Sequence, residues 1–479
     1  MKQSFLENKI NPLMFIFILA VLLLIFPSFI RHAQDNSIMV GEAYYDLRIS
    51  NSIIEGKLLN FDSLQERTYD VNLYHLILSG LNLFMSPILI YLFVPFILGV
   101  LSLILFWLIL KKFNVEKNVL FFVLFIYVLS PIFLFLFTNL NKYSIVVVLS
   151  LASFLMFLSK KPLLSILTLI FIPLIDFSSF IIILLMILIY AFLKDKLKQW
   201  NYLLIISTIT TLISIFILNL SVTFEFLIKK PAFGELWTSF GALIGLSIFT
   251  LFLAFLGFAS LWKKKRTFLF FNISFIMFLI ISMFNDPAKI IFNFFISGLA
   301  GYAFYLLISR NWAIITIKKF TILLIFCSLI FSTSVYVNGV TSSQPNKELV
   351  DALEFLKYYE APSLFETEVV FSHNSYGFFI EYFANKKSFL DTNSIKDDNY
   401  DLMNNVSNEI FYSRNLDDTE LLLRDNNIQY FLVTDEMKKG FVWKKPDEGL
   451  LFLFQSSNKF LKIYDQPGVQ IWSYSNFVI

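Results

Sequence analysis

Apolar runs follow one another through the first 337 residues with little between them, and this succession limits the fold more than any other feature. They lie near 12–30, 86–110, 118–137, 143–159, 162–175, 177–193, 201–219, 240–262, 267–284, 289–308 and 318–337. A helix needs about 20 apolar residues to cross the hydrocarbon of a bilayer, so the pattern predicts a polytopic α-helical membrane protein of about 11 transmembrane helices. A mean hydropathy of +0.71 and 59 phenylalanines agree, since water would not keep such a surface dispersed. The fifth run is short and contains Pro173. The first follows Lys2 and Lys9 and leads into polar sequence without a small-residue cleavage site, which reads as a retained helix and not a signal peptide.

Charge alternates between successive connections. One set carries Lys111, Lys112, Lys117, Lys160, Lys161, Lys194, Lys196, Lys198, Lys263 to Arg266, Arg310, Lys318 and Lys319. The alternate short connections carry only Lys142, Lys229, Lys230 and Lys289. Positive charge collects on the cytoplasmic side, so the N-terminus is expected inside and the C-terminus outside. Cys327 is the single cysteine and lies in an apolar run, which excludes a disulfide framework and a thiolate zinc site. His32, His75 and His373 are too widely spaced for a metal-ligand pattern.

Two segments are polar. Residues 31–85 read as a long external loop within a transmembrane part spanning 1–337. Residues 338–479 hold 13 Lys and Arg against 21 Asp and Glu, and they alternate helical stretches ("NKELVDALEFLKYY", "DDTELLLRDNN") with β-type runs ("EVVFS", "IQYFLVT", "KFLKIYD", "VQIWSY"). That alternation predicts a C-terminal extracytoplasmic α/β domain. In the loop, "GEAYYDLRISNSIIEGKLLNFD" packs Glu42, Asp46, Arg48, Glu55 and Asp62 among aromatic and aliphatic residues. If 41–57 is a helix, Glu42 and Asp46 fall four apart on one face, while Tyr44, Tyr45, Leu47, Ile49, Ile53 and Ile54 supply apolar contact. One reading lays this helix on the membrane surface with its tyrosines among the headgroups. The other makes it a functional loop.

The same residues resemble the first external loop of the oligosaccharyltransferase catalytic subunits and their archaeal relatives among the GT-C membrane glycosyltransferases. In that resemblance the family's acid falls on Glu42, its paired aromatics on Tyr44 and Tyr45, its arginine on Arg48, its closing glycine on Gly56, and a later Phe-Asp on Phe61 and Asp62. "YVLSPIFLFLFTNLNKYS" resembles the helix end and second external loop, with Asn139 and Asn141 where the family has acids. "FGELWTSFGALIGLSIFTLFLAFLGFASLWKKK" resembles the late external loop and puts an acid at Glu235. "VVFSHNSYGFFIEYFANKKSFLD" stands in the place of the tryptophan-rich WWDYG signature, of which Tyr376 and Gly377 remain while His373, Asn374 and Ser375 replace the rest.

The resemblance implies transfer of a sugar or glycan from a polyprenyl (dolichyl)-phosphate or -diphosphate carrier to a protein or glycan acceptor, in the membrane and without nucleic acid. Such a reaction needs a carboxylate near the acceptor and positive charge near the departing phosphate. Glu42 is the expected catalytic carboxylate, with a pKa raised by partial desolvation at the membrane boundary. Arg48 and Lys142 are the expected phosphate-binding cations, Arg48 having a loop salt bridge to Glu42 or Asp46 as its alternative. Candidate lining residues are Tyr44, Tyr45, Asp46, Asp62, Asn139, Asn141, Glu235, Asp286 and Tyr376. A divalent cation such as Mg²⁺ or Mn²⁺ wants several oxygen ligands, and with asparagines at 139 and 141 only Glu42 and Glu235 remain for one, so no cofactor is expected. Those departures also argue against asparagine-linked transfer and keep open a non-catalytic relative that binds lipid-linked glycan. A transporter ranks third, because the apolar runs are nearly free of ionisable residues.

Overall fold

A computed structural model describes residues 12–34, 36–57, 61–69, 72–193, 237, 245–262, 268–359, 368–397 and 399–475. The run at 201–219, the start of the run at 240–262, Glu235 and the charges at 194–198, 229–230 and 263–266 lie outside the described residues. The chain divides into two compact units, Met1–Ile30 with Asp70–Ser342, and Arg31–Tyr69 with Ser343–Ile479. A division at residue 337 leaves 31–69 with the transmembrane part; the structure groups that segment with the C-terminal residues instead.

The first unit is helical. Four of its described helices are long and apolar enough to cross a bilayer, Pro12–Ala33, Pro87–Lys112, Asp286–Ser309 and Ile315–Thr341. Lys117–Leu129 and Pro131–Thr138 make a fifth if they count as one bent span, and Lys142–Leu158, Phe177–Leu193, Ile248–Trp262 and Leu269–Ile281 are shorter apolar helices. Among the described residues, length and composition alone thus admit four or five spans where the sequence shows eleven runs. Breaks inside the runs account for part of the difference. The helix in the 162–175 run ends at Ile170, before Pro173.

Proline sets where several helices begin. Pro87, Pro131, Pro162 and Pro287 stand in first turns, where a fixed φ and a missing N–H cost nothing. Pro131 also forces Ser130 out of the helical region, to φ −71 and ψ 136, and the 118–137 run bends there by 60°. The backbone groups freed by the break find partners nearby. Thr333 Oγ1 donates to the Leu129 carbonyl at 2.7 Å, Ser130 Oγ accepts from the Phe133 N–H at 3.2 Å, and Asn293 Nδ2 donates to Ser130 Oγ at 2.9 Å. In apolar surroundings such groups must be paired within the protein.

The second unit holds a hairpin and a five-stranded sheet. Strands β1 (Phe61–Asp62) and β2 (Arg67–Thr68) pair antiparallel. Strands β3 (Val369–Phe371), β4 (Lys387–Ser388), β5 (Ile428–Thr434), β6 (Phe460–Gln466) and β7 (Val469–Tyr474) lie in the order β4-β3-β5-β7-β6. The first three run parallel, and β7 is antiparallel to both β5 and β6. Every residue of β5 is buried, as befits a central strand covered on both faces. Helices Lys347–Tyr358, Tyr400–Tyr412, Leu416–Asp425 and Leu450–Ser456 accompany the sheet, and Phe371, Phe411, Phe431, Phe454 and Trp443 form an aromatic core within it. Strands β3, β5, β6 and β7 fall on the four β-type runs of the sequence; β4 and the helices Tyr400–Tyr412 and Leu450–Ser456 have no counterpart among the stretches read there.

Within this unit, helix Ala43–Ile54 packs on a short helical segment over 374–384. Tyr44 meets the rings of Phe379, Tyr382 and Phe383 with centroids 5.5, 4.9 and 5.0 Å away, and Tyr45 meets Phe378 at 5.1 Å. The reading that puts these tyrosines among lipid headgroups is corrected: aromatic residues of the C-terminal half of the chain take Tyr44 completely out of solvent.

Candidate functional site

Glu42 occupies the N-cap position of helix Ala43–Ile54, with φ −65 and ψ −14. Its side chain is exposed and does not cap the helix, and its carbonyl accepts the Asp46 N–H at 3.1 Å. A carboxylate here is favoured by the helix dipole. At the other end Gly56 takes φ +75, a left-handed conformation that glycine adopts without steric penalty, and so closes the helix.

The middle of that helix is held by charge. Arg48 Nη1 donates to Asp62 Oδ1 at 2.8 Å, and Nη2 donates to Asp62 Oδ2 at 2.6 Å and to Glu381 Oε2 at 2.7 Å. Asp62 also accepts the N–H groups of Leu64 and Gln65, which shapes the turn between β1 and β2. Gln65 Nε2 donates to Glu381 Oε1 at 2.5 Å, and Ser388 Oγ donates to the same oxygen at 2.7 Å. Beside this group Arg67 donates to both oxygens of Asp391 and to Ser394 Oγ. Two arginines thus serve three carboxylates out of bulk water.

These acids are shifted in opposite directions, although burial raises all three. It pushes Glu381 up to about 8, against the pull of Arg48. For Asp62 and Asp391 burial acts the same way, but the bonds from Arg48 and Arg67 and from backbone N–H groups outweigh it and hold both below the usual carboxylate range. The 374–384 segment reaches Asp391 through Gly377, where a Cβ would stand 2.5 Å from the Asp391 Cβ and 2.7 Å from the Leu390 carbonyl oxygen. No larger residue fits there without displacing backbone.

These contacts reassign several of the expected site residues. Arg48 pairs with Asp62 and Glu381 through its two Nη groups. Asp62 is buried in the ion pair, and Tyr44 is core, its hydroxyl bonded to Ser37 and to the Met39 carbonyl. Tyr45 and Asp46 are half-buried. Tyr376 is buried, donating to Glu436 Oε2 at 2.8 Å and accepting from Thr434 Oγ1 at 2.9 Å. Sequence reading missed Glu381, Gln65, Arg67 and Asp391. A signal existed for Glu381, an isolated acid inside "FFIEYF", since a carboxylate among aromatics needs a cation.

In the first unit, Lys142 Nζ donates to Asp176 Oδ1 at 2.8 Å and keeps a third of its side chain exposed. Asp176 also accepts from the Ser178 and Ser179 hydroxyls and from the Ser179 N–H. Asn139 bridges two tyrosines, accepting from Tyr91 and donating to Tyr336, each at 3.1 Å. Asn141 caps helix Lys142–Leu158 by accepting the Ser144 N–H at 3.0 Å, and its Nδ2 donates to the carbonyls of Phe135, Leu136 and Asn139. Both asparagines hold the helix ends beside them. Asp286 accepts from Lys289 at 2.6 Å in the first turn of its helix.

A divalent cation wants several oxygen ligands. Asn139 and Asn141 have their amide oxygens committed to Tyr91 and Ser144, and no group of three His, Cys, Asp or Glu gathers among the described residues. Glu235, the other acid that the resemblance would offer an ion, lies outside the described residues.

No protein-family model matches the sequence, and no curated protein matches it. Solved structures do. The chain is similar to the archaeal oligosaccharyltransferase AglB from Archaeoglobus fulgidus, solved in complex with an inhibitory peptide and a dolichol-phosphate, with TM-score 0.62 and 14% identity over 97% of this chain and 75% of that one. It is similar to the arabinofuranosyltransferase AftD from Mycobacteria, with TM-score 0.59 and 11% identity over 98% of this chain and 40% of AftD. It is also similar to ArnT from Cupriavidus metallidurans bound to undecaprenyl phosphate, with TM-score 0.51 and 11% identity over 96% of this chain and 97% of ArnT. Identities this low speak for architecture alone. Over nearly its whole length, the chain has the fold of the GT-C membrane glycosyltransferases.

Proposed function

We propose that the chain is a membrane glycosyltransferase that moves a sugar or glycan from a polyprenyl-phosphate or -diphosphate carrier to a protein or glycan acceptor on the external face. What supports this reading, within the fold, is Glu42: it is exposed at the head of a helix whose body is anchored by a buried two-bond ion pair. In the reaction the bond between the anomeric carbon and the carrier phosphate breaks, and the phosphate keeps the electron pair. The acceptor heteroatom bonds to that carbon and gives its proton to the Glu42 carboxylate. Lys142, whose ammonium Asp176 steadies and leaves partly exposed, is a candidate cation for a phosphate.

The test is reconstitution in liposomes with dolichyl- and undecaprenyl-phosphate-linked hexoses, following release of the free carrier. Glu42→Gln keeps shape and hydrogen bonding but accepts no proton, so turnover falls by about two to four orders of magnitude while folding is retained. A stable Glu42→Gln protein with full turnover would overturn the assignment. A second reading, a relative that binds lipid-linked glycan without transferring it, is favoured by the structural use of Asn139 and Asn141. Carrier binding with no turnover of any donor would select it.

A further inference from the structure

Glu381 is among the least exposed carboxylates of the second unit, with 1% of its surface accessible. Its three donors come from separate stretches of chain: Arg48 from helix Ala43–Ile54, Gln65 from the turn between β1 and β2, and Ser388 from β4. The Arg48–Asp62 pair has a different reach. Both of its members belong to the 41–69 segment, so it folds that segment on itself without attaching it to anything.

Beside the ring contacts of Tyr44 and Tyr45, polar attachment runs through Glu381, through Asp391 and Asp397 by way of Arg67, and through the Gln65–Ser388 bond and the Glu66–Lys387 ion pair. Of these polar links Glu381 is the closest to the helix that Glu42 heads, because it bonds a residue of that helix directly, less than two turns from Glu42. Its place is set in turn by Gly377, whose missing side chain lets the 374–384 segment lie against Leu390 and Asp391.

We propose that Glu381 is a positioning residue for glycosyl transfer: by binding Arg48 and Gln65 together it fixes helix Ala43–Ile54, and with it the carboxylate of Glu42, against the C-terminal part of its unit. This rests on the reading of Glu42 as the catalytic carboxylate. Glu381 touches no substrate in this scheme and acts only through the helix it holds.

The experiment compares Glu381→Gln, Glu381→Asp and Glu42→Gln in the full chain in liposomes. Amide hydrogen exchange is read over residues 43–54 and over 428–434, together with turnover of the dolichyl-phosphate-linked hexoses. Glu381→Gln is expected to speed exchange over 43–54 about tenfold while 428–434 stays protected, because both Glu381 oxygens accept hydrogen bonds and the amide nitrogen of Gln cannot, so one set of donors loses its acceptor. Its kcat falls with the donor KM little changed, and Glu381→Asp recovers part of both effects. Unchanged exchange over 43–54 in Glu381→Gln would overturn the proposal, as would equal loss of protection at 428–434, which marks a general core role. Full turnover by Glu42→Gln alongside locally faster exchange in Glu381→Gln would instead overturn the catalytic reading and leave the anchor standing.

Discussion

Arg48 and Asp62, fourteen residues apart, close a two-bond ion pair in which each Nη meets its own carboxylate oxygen, at 2.8 and 2.6 Å. The planar guanidinium fork matches the carboxylate edge, and the pair lies almost wholly out of solvent, with side-chain exposures of 10% and 3%. A buried pair like this adds little net stability over apolar residues of the same size, yet removal of one partner strands a charge. Its use here is geometric, joining the helix that follows Glu42 to the hairpin beyond it.

Asp62→Ala is therefore expected to destabilise the second unit by about 3 kcal/mol. The triple replacement Arg48→Met, Asp62→Leu and Glu381→Gln, which removes every charge that Arg48 links, should cost clearly less. Denaturant unfolding of the purified full chain measures both. A triple variant weaker than Asp62→Ala would mean that the cluster carries net stability of its own.

The acids beside it give the second unit a stability that falls on both sides of a pH window. Asp62 and Asp391 have folded pKa values below the unfolded 3.8, so what they contribute is present above that pH and lost as the pH falls through the folded values. Glu381 works in the other sense. Its value rises from 4.5 to about 8, so its contribution is complete below 4.5 and lost as the pH climbs toward 8. Stability is expected to be greatest near the acid end of this window. Glu381→Gln, which cannot ionise, should flatten the decline from about 4.5 to 8, and thermal unfolding across that range reads the slope.

Chelation provides a separate check. Because Asn139 and Asn141 spend their side chains on Tyr91, Tyr336, Ser144 and nearby carbonyls, transfer is expected to persist in EDTA. Carrier release is measured before and after chelation. Complete loss, restored by Mn²⁺ or Mg²⁺, would show a cation site that draws on Glu235 or other residues outside the described part of the chain.

Orientation is tested by cysteine labelling in a Cys327→Ser background. The alternation of Lys and Arg between connections places residues 263–266 on the cytoplasmic side and residue 400 outside. Labelling of 263–266 from the exterior, or protection of 400 there, would reverse the topology.

Composition and local pattern determined a good deal of this protein. A membrane chain follows from apolar runs too long and too numerous for water, and the strands β5, β6 and β7 follow from short runs rich in branched and aromatic residues. The helix start at Ala43 and its stop at Gly56 are likewise local matters, one of a short segment's propensity and one of a backbone angle that glycine takes freely. Pro131 and Pro173 mark interruptions whose consequences, a 60° bend and an early helix end, need only the neighbouring residues. Partners were a different matter. Nothing near Arg48 in the sequence says that it binds Glu381, 333 residues away, and nothing near Arg67 points to Asp391, 324 residues away. Ion pairs and aromatic contacts depend on distance in space, and a long chain offers each charge many candidates of equal local merit. Only the tertiary structure decided that Tyr44 and Asp62 belong to a core, that Asn139 and Asn141 brace helix ends, and that Glu42 stays exposed.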